Sequence, residues 1–394
     1  MKYDFETVVD RCSHGASKWM SMLEKHPETP KGIVPLSVAD MEFKNAPEII
    51  NGLKNVLDNC LLGYAGPTAE YYQSVIDWMK RRHQFDIRPE WIVTTPGVVT
   101  AIRFILRSVT SKGDGVILLT PVYYPFFKAV EGNECQVVAS ELLYNDNYYQ
   151  IDFDDLQAKA EDPHNTALIL CSPHNPIGRV WTETELRKIA DICLANHVTL
   201  ISDEIHHDLI MPGYKHHVLA GLDERYAETV ITCTSCSKSF NLAGLKVSNI
   251  IIKNKELRTK IQKDLNVLGH GSLNVLGYKA CLIAYNEAEP WLEACLKVIY
   301  DNSLYLKEFI ARELPMINVV PLEGTYLQWL DCRALKLCDE DLEQIMTAHY
   351  LYLDEGYIFG DGGKGFERVN LACPRSVLVN ALDRFKAAVE SACQ

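Results

Sequence analysis

The sequence predicts an α/β fold: a mostly parallel central sheet with helices on both faces, joined to a smaller α+β domain. Three observations lead there. From about residue 90, short apolar runs alternate with amphipathic segments, the pattern of successive strand and helix units. After about residue 285 the pattern changes to long helical stretches followed by short strands. The chain has 394 residues, more than the roughly 250–300 at which a single core stops growing. A large domain is therefore expected over residues 46–285, and a small one from residues 1–45 and 286–394. The first 45 residues, with Pro27, Pro30 and Pro35, are too broken to fold alone and should drape across the second domain.

The elements follow in order. Residues 91–95 read as a strand, Pro96-Gly97 as a turn and residues 98–109 as a helix. Further buried strands are expected at 115–119, 136–140, 166–171, 198–202, 230–234 and 247–252. The helix over 182–196 opens with a Thr-x-x-Glu capping box, Thr182 to Glu185. Beyond 285 come short strands near Val319 and at 326–331, a helix from Asp339 and a closing helix from Arg375.

Composition narrows the function. A formal charge of −13 opposes binding to nucleic acid or an anionic membrane and favours small-molecule chemistry. The amino terminus lacks the basic and apolar regions of a signal peptide, and no apolar run reaches membrane-spanning length, so a cytoplasmic protein is expected. The 13 cysteines are scattered through apolar surroundings and should be reduced. Cys233 and Cys236 form one C-x-x-C pair, but neither a second pair nor an H-x-x-x-H completes a zinc set, and no metal is expected.

In an open parallel sheet, ligands gather beyond the carboxyl ends of the strands. Gly97-Val98-Val99 opens a helix whose free N–H groups could hold a phosphate, or is turn chemistry alone. Asn175, in Ser172-Pro173-His174-Asn175-Pro176, is either an oriented amide or part of a rigid Asx turn. Asp203 is either a helix cap or the partner of a protonated ring nitrogen. Lys238, set among Ser235, Ser237, Gly244 and Lys246, is either a solvated surface charge or an amine for Schiff-base chemistry. Together they would satisfy a phosphorylated pyridine aldehyde at its tail, oxygen, nitrogen and carbonyl.

That ordered set, with Arg368-Val369-Asn370 after it, resembles pyridoxal-phosphate enzymes of the class I/II aminotransferase superfamily, with the aspartate aminotransferase fold type I. The likeness spans essentially the whole chain. It implies pyridoxal 5′-phosphate as cofactor, with Lys238 as Schiff-base lysine, Asp203 at the pyridine nitrogen and Asn175 at the ring oxygen. Tyr123 would stack on the ring. Gly97, Val98, Val99, Ser235, Ser237 and Lys246 would form the phosphate cup, completed by Tyr64 from the partner subunit of a homodimer. Arg368 would bind the substrate carboxylate, with Ala39 and Tyr124 on the substrate side.

Two departures point to a narrower group. Lys246 stands where many aminotransferases have arginine, and His206 where many have tyrosine. With Val38-Ala39-Asp40-Met41-Glu42-Phe43, His174 and Leu371-Ala372-Cys373-Pro374-Arg375, they resemble the MalY/PatB group of carbon-sulfur β-lyases, although Ser37 replaces the usual tryptophan. The implied reaction is β-elimination on L-cystathionine or a related cysteine conjugate. An aminotransferase is the alternative, and a cofactor-bound regulator a lesser one. His206 either touches the cofactor or satisfies a backbone carbonyl, and His207, His216 and His217 receive no role. The glycine-rich stretch 359–366 is expected to be a flexible entrance loop.

Overall fold

The computed structural model describes residues 2–270 and 273–392. Seven strands form the central sheet: β1 (Ile92–Thr95), β2 (Gly115–Thr120), β3 (Gln136–Glu141), β6 (Asn165–Cys171), β7 (Thr199–Asp203), β8 (Val230–Thr234) and β9 (Ser248–Ile251). A hairpin of β4 (Leu143–Asn145) and β5 (Tyr148–Gln150), absent from the sequence reading, intervenes in the chain. The sheet order is β1-β9-β8-β7-β6-β2-β3. Every pairing is parallel except the two made by β9. The 13 residues between β8 and β9 hold only a one-turn helix, Cys236–Ser239, and a 3₁₀ turn, Ala243–Leu245, with no long helix to carry the chain across the sheet into a parallel pairing. The chain therefore returns to the edge it has just left, carrying Lys246 with it.

Alternate residues along each strand enter opposite cores. Val116 and Leu118 of β2 join the cluster containing Ile102 and Ile105 of the helix Val98–Val109. Ile117 and Leu119 join the one containing Leu186 and Ile189 of the helix Glu183–Ala195. Helices thus cover both faces, as expected. The Thr182 capping box is formed, with Glu185 N–H donating to Thr182 Oγ1 at 3.2 Å and Thr182 N–H donating to Glu185 Oε2 at 2.8 Å. One boundary shifts: Asp203 is the last residue of β7, because the ladder continues through Cys171↔Asp203 and Asp203↔Cys233.

A second, antiparallel sheet has the order β10 (Asn318–Val319), β11 (Leu327–Asp331), β13 (Phe366–Asn370), β12 (Asp354–Glu355). The amino-terminal segment is sewn to it. Leu36 N–H donates to Tyr352 O at 2.9 Å, Asn370 N–H to Leu36 O at 2.9 Å and Glu42 N–H to Ala372 O at 2.8 Å. No helix among the described residues is long and apolar enough to cross a membrane.

Candidate active site

The carboxyl ends of β1, β6, β7 and β8 open on one cleft of about 210 Å³. Larger grooves lie elsewhere on the surface, but this one gathers the sequence candidates: Ala39, Gly97, Val98, Val99, Tyr123, Asn175, Asp203, His206, Ser237, Lys238 and Lys246 all line it. Arg368 and Ser235 stand just behind, and Tyr124 packs beside Tyr123 at 5.6 Å between ring centres. Tyr64 is elsewhere, fully exposed.

At one end of the cleft, Gly97 caps the helix Val98–Val109 with φ +103°, and a Cβ built on it would meet nothing within 4 Å. That φ suits glycine alone. The first intrahelical bond is Ala101 N–H to Gly97 O, so the N–H groups of Val98, Val99 and Thr100 remain at the positive end of the helix dipole. Opposite, Ser235 caps the one-turn helix that carries Lys238, accepting from Ser237 N–H at 3.0 Å. Its hydroxyl lies 2.6 Å from Val247 O and 2.8 Å from Ser237 Oγ, so it braces the turn. Lys246, at φ +46°, is exposed and forms no ion pair among the described residues.

In the middle of the cleft, Lys238 Nζ donates to Ala39 O, which also receives Tyr326 Oη at 2.9 Å. Burial pushes the amine down to about 8. Asp203, 3% exposed, accepts from Ile205 N–H at 3.1 Å, and burial pushes it up to about 7. A carboxylate raised by desolvation is a ready partner for a cationic N–H donor. His206 is buried with Nδ1 unpartnered, and burial holds its ring well below the usual imidazole range.

At the far end, Arg368 is 1% exposed and lies over the Phe359 ring at 4.9 Å. It pairs with Asp354 and donates from Nη1 to Asn175 Oδ1 at 2.8 Å, while its Nε has no partner. The bond to Asn175 fixes the amide so that Nδ2 is the donor left for the cleft. Burial pushes the guanidinium down to about 10.

Sequence reasoning missed Tyr326, Asp354 and Phe359. The first lies at the start of an apolar strand and reads as core, and the second joins Arg368 only through the β12–β13 pairing. The stretch 359–366 is anchored at three points: Phe359, Gly363 and Phe366 are buried, and an added Cβ on Gly363 would meet Gly356 O at 2.1 Å, while Asp361 and Lys364 stay exposed. His207 and His216 sit behind the cleft, His207 Nδ1 2.5 Å from Glu204 O and His216 Nε2 2.9 Å from Glu204 Oε2.

A half-buried amine, a desolvated acid, an oriented amide and a helix-start anion cradle thus meet beyond the carboxyl ends of the strands, and the family model for aminotransferase class I and II matches residues 31–385. This chain belongs to that family. It is 40% identical to the cystathionine beta-lyase PatB of Bacillus subtilis (strain 168), over 98% of this chain and all of that protein. The crystal structure of cystalysin from Treponema denticola, which contains a pyridoxal 5′-phosphate cofactor, superposes with a TM-score of 0.98. It is 50% identical and covers 99% of this chain and all of its own. The pyridoxal-phosphate-bound C-S lyase of Staphylococcus hominis superposes with a TM-score of 0.92 at 33% identity, over 98% of both chains.

Proposed function

We propose that this protein is a pyridoxal 5′-phosphate-dependent carbon-sulfur β-lyase acting on L-cystathionine or a related cysteine S-conjugate. The observation that carries it is the convergence of Lys238, Asp203 and the Asn175–Arg368 pair on one cleft. The cleft fits the cofactor chemically. Gly97 keeps the helix start open, and the N–H groups of Val98 and Val99, the Ser237 hydroxyl and the unpaired Lys246 suit a phosphate dianion, with Ser235 bracing them. Asp203 suits a ring N–H, Asn175 Nδ2 and His206 suit a ring oxygen, and Tyr123 offers a face for stacking.

When bound, the cofactor supplies an electron sink at the substrate's α-carbon. The chain supplies the rest. Lys238 would hold the cofactor covalently and would serve as the base for the substrate's α-proton; with its proton affinity pushed down to about 8, it can act as a base near neutrality. Asp203, as carboxylate, would accept from the ring N–H and keep that nitrogen protonated. Arg368, oriented by Asp354 and Asn175, receives the substrate carboxylate, and Ala39 and Tyr124 bound the substrate side. The net change is RS–CH₂–CH(NH₃⁺)–COO⁻ plus water giving thiol, pyruvate and ammonium.

This reading extends to the assembly. Leu57, Leu61, Leu62 and Tyr64 are all exposed, Tyr64 and Leu61 fully, an apolar surface suited to a homodimer in which Tyr64 completes the partner's phosphate site. We assign residues 46–285 to the cofactor domain and residues 1–45 with 286–394 to the small domain. A cytoplasmic location agrees with the free thiols of twelve described cysteines. Incubation with L-cystathionine and no 2-oxo acid tests the activity. Release of pyruvate and thiol is expected; amino transfer that appears only when an oxo acid is added would instead make the protein an aminotransferase.

A further inference from the structure

The segment from Leu36 to Asn45 contains neither helix nor strand, yet three asparagine side chains, one of them its own, tie it in place. Asn370 Nδ2 donates to Val38 O at 3.0 Å and Asp40 O at 2.7 Å. Asn241, three residues beyond Lys238, exchanges two 3.0 Å bonds with the Met41 backbone. Asn45 Nδ2 donates to Phe240 O and Asn241 O, both at 3.0 Å. Val38 sits at φ +28°, a strained conformation for a β-branched residue, and such strain persists only where the surroundings impose it.

Beneath this strap lies a charge cluster that the lyase chemistry above does not use. Lys18 Nζ, with none of its side chain exposed, is 2.8 Å from both Asp40 Oδ1 and Glu42 Oε1. Arg11 reaches Asp40 Oδ2 at 2.8 Å and Glu42 Oε1 at 2.6 Å. Two cations thus balance two anions. Buried charges on this scale are costly unless paired, and here they fix the backbone just beyond Ala39, where Lys18 Nζ also donates to Asp40 O at 3.2 Å; the Ala39 carbonyl itself receives the Lys238 amine.

We propose that the Arg11–Lys18–Asp40–Glu42 cluster is a positioning device for the catalytic amine. It fixes the Ala39 carbonyl as the acceptor for Lys238 Nζ, and its charge balance sets how readily that nitrogen takes up and returns a proton. This rests on the lyase reading above, in which Lys238 is anchor and base. Asp40 and, across the cleft, Asp203 favour the proton on Lys238, while Lys18 and Arg368 oppose it. His206 and Tyr326 face the same space without a favourable charge of their own.

The test uses the holoenzyme and the substitutions Lys18→Met, Asp40→Asn and their combination. The visible absorption of the bound cofactor, followed across pH, reports the proton held at its junction with Lys238. Removing the cation should move the midpoint up and removing the anion should move it down, each by about one pH unit. The double variant, again neutral, should return close to wild type. Arg11→Gln, at a partly exposed position, should repeat the upward shift should Lys18→Met fold poorly. The acid limb of lyase activity should move in the same directions. Midpoints that stay put, or that all move the same way as general loosening would produce, would overturn the proposal. Wild-type protein that captures no cofactor, or holds it without cleaving cystathionine, would instead sink the lyase reading.

Discussion

The two walls of the cleft are built differently. On the wall formed by strand ends, each group lies within a few residues of a ladder: Gly97 after β1, Asn175 after β6, Asp203 closing β7 and Ser235 after β8. Backbone pairing places them. On the facing wall, Tyr326, Asp354 and Arg368 sit on or beside strands of the second sheet, with Asp354 opposite Arg368 in the β12–β13 ladder, and they reach Ala39 and Asn175 only through side-chain bonds. The first wall therefore supplies what any reaction of this cofactor needs, while the second can be retuned by single substitutions. Reaction choice within the family should reside there.

Breaking the first wall should cost most. Lys238→Ala removes both anchor and base, so cystathionine cleavage should fall by at least about 10³-fold, with loss of the covalent cofactor absorption, read in the same cuvette. Arg368→Ala breaks the second wall. It leaves Asp354 unpaired and frees Asn175, and kcat/KM should fall by about 10²-fold or more, with Arg368→Lys recovering only part because a point charge cannot replace the fork. A rise in KM larger than the fall in kcat would mark it as a substrate-binding group.

Asp203 separates activity from stability. Its folded-state proton affinity is raised to about 7, so its stabilising contribution is complete below the unfolded carboxyl value and is lost as pH rises through about 7. In protein stripped of cofactor, Asp203→Asn should therefore raise stability at pH 8 by on the order of 2 kcal/mol and do little at pH 4, as thermal melts would show. The same variant should lose most of its lyase activity. Equal effects at both pH values would mean that Asp203 is not desolvated. The smallest effect belongs to Tyr64→Phe, which should weaken cofactor retention by a few-fold without altering the sedimentation expected of the proposed dimer.

Legibility in the sequence followed the same division. Strand ends announce themselves, because an apolar run followed by glycine, serine or an acid is a local pattern, and the resemblance built on those motifs led to the family. Arg368 was recognised only through that resemblance. Its partner Asp354 was not, since a two-residue strand, Asp354–Glu355, has too few residues to show periodicity. Tyr326 looked like core because it is core: it is wholly buried and acts through one hydroxyl. The stretch 359–366 misled because glycines suggest freedom, whereas Gly356 and Gly363 are small so that two backbones can touch. The reversal of β9 was also hidden, since periodicity marks a strand and not its direction.

The most direct test of the lyase assignment is to quantify thiol, pyruvate and ammonia together from L-cystathionine, with no oxo acid present, for wild type and Lys238→Ala at saturating cofactor. Equal amounts of all three products are expected from wild type, and none above background from the variant. Cleavage that survives in Lys238→Ala, or wild-type turnover that yields no thiol, would contradict it.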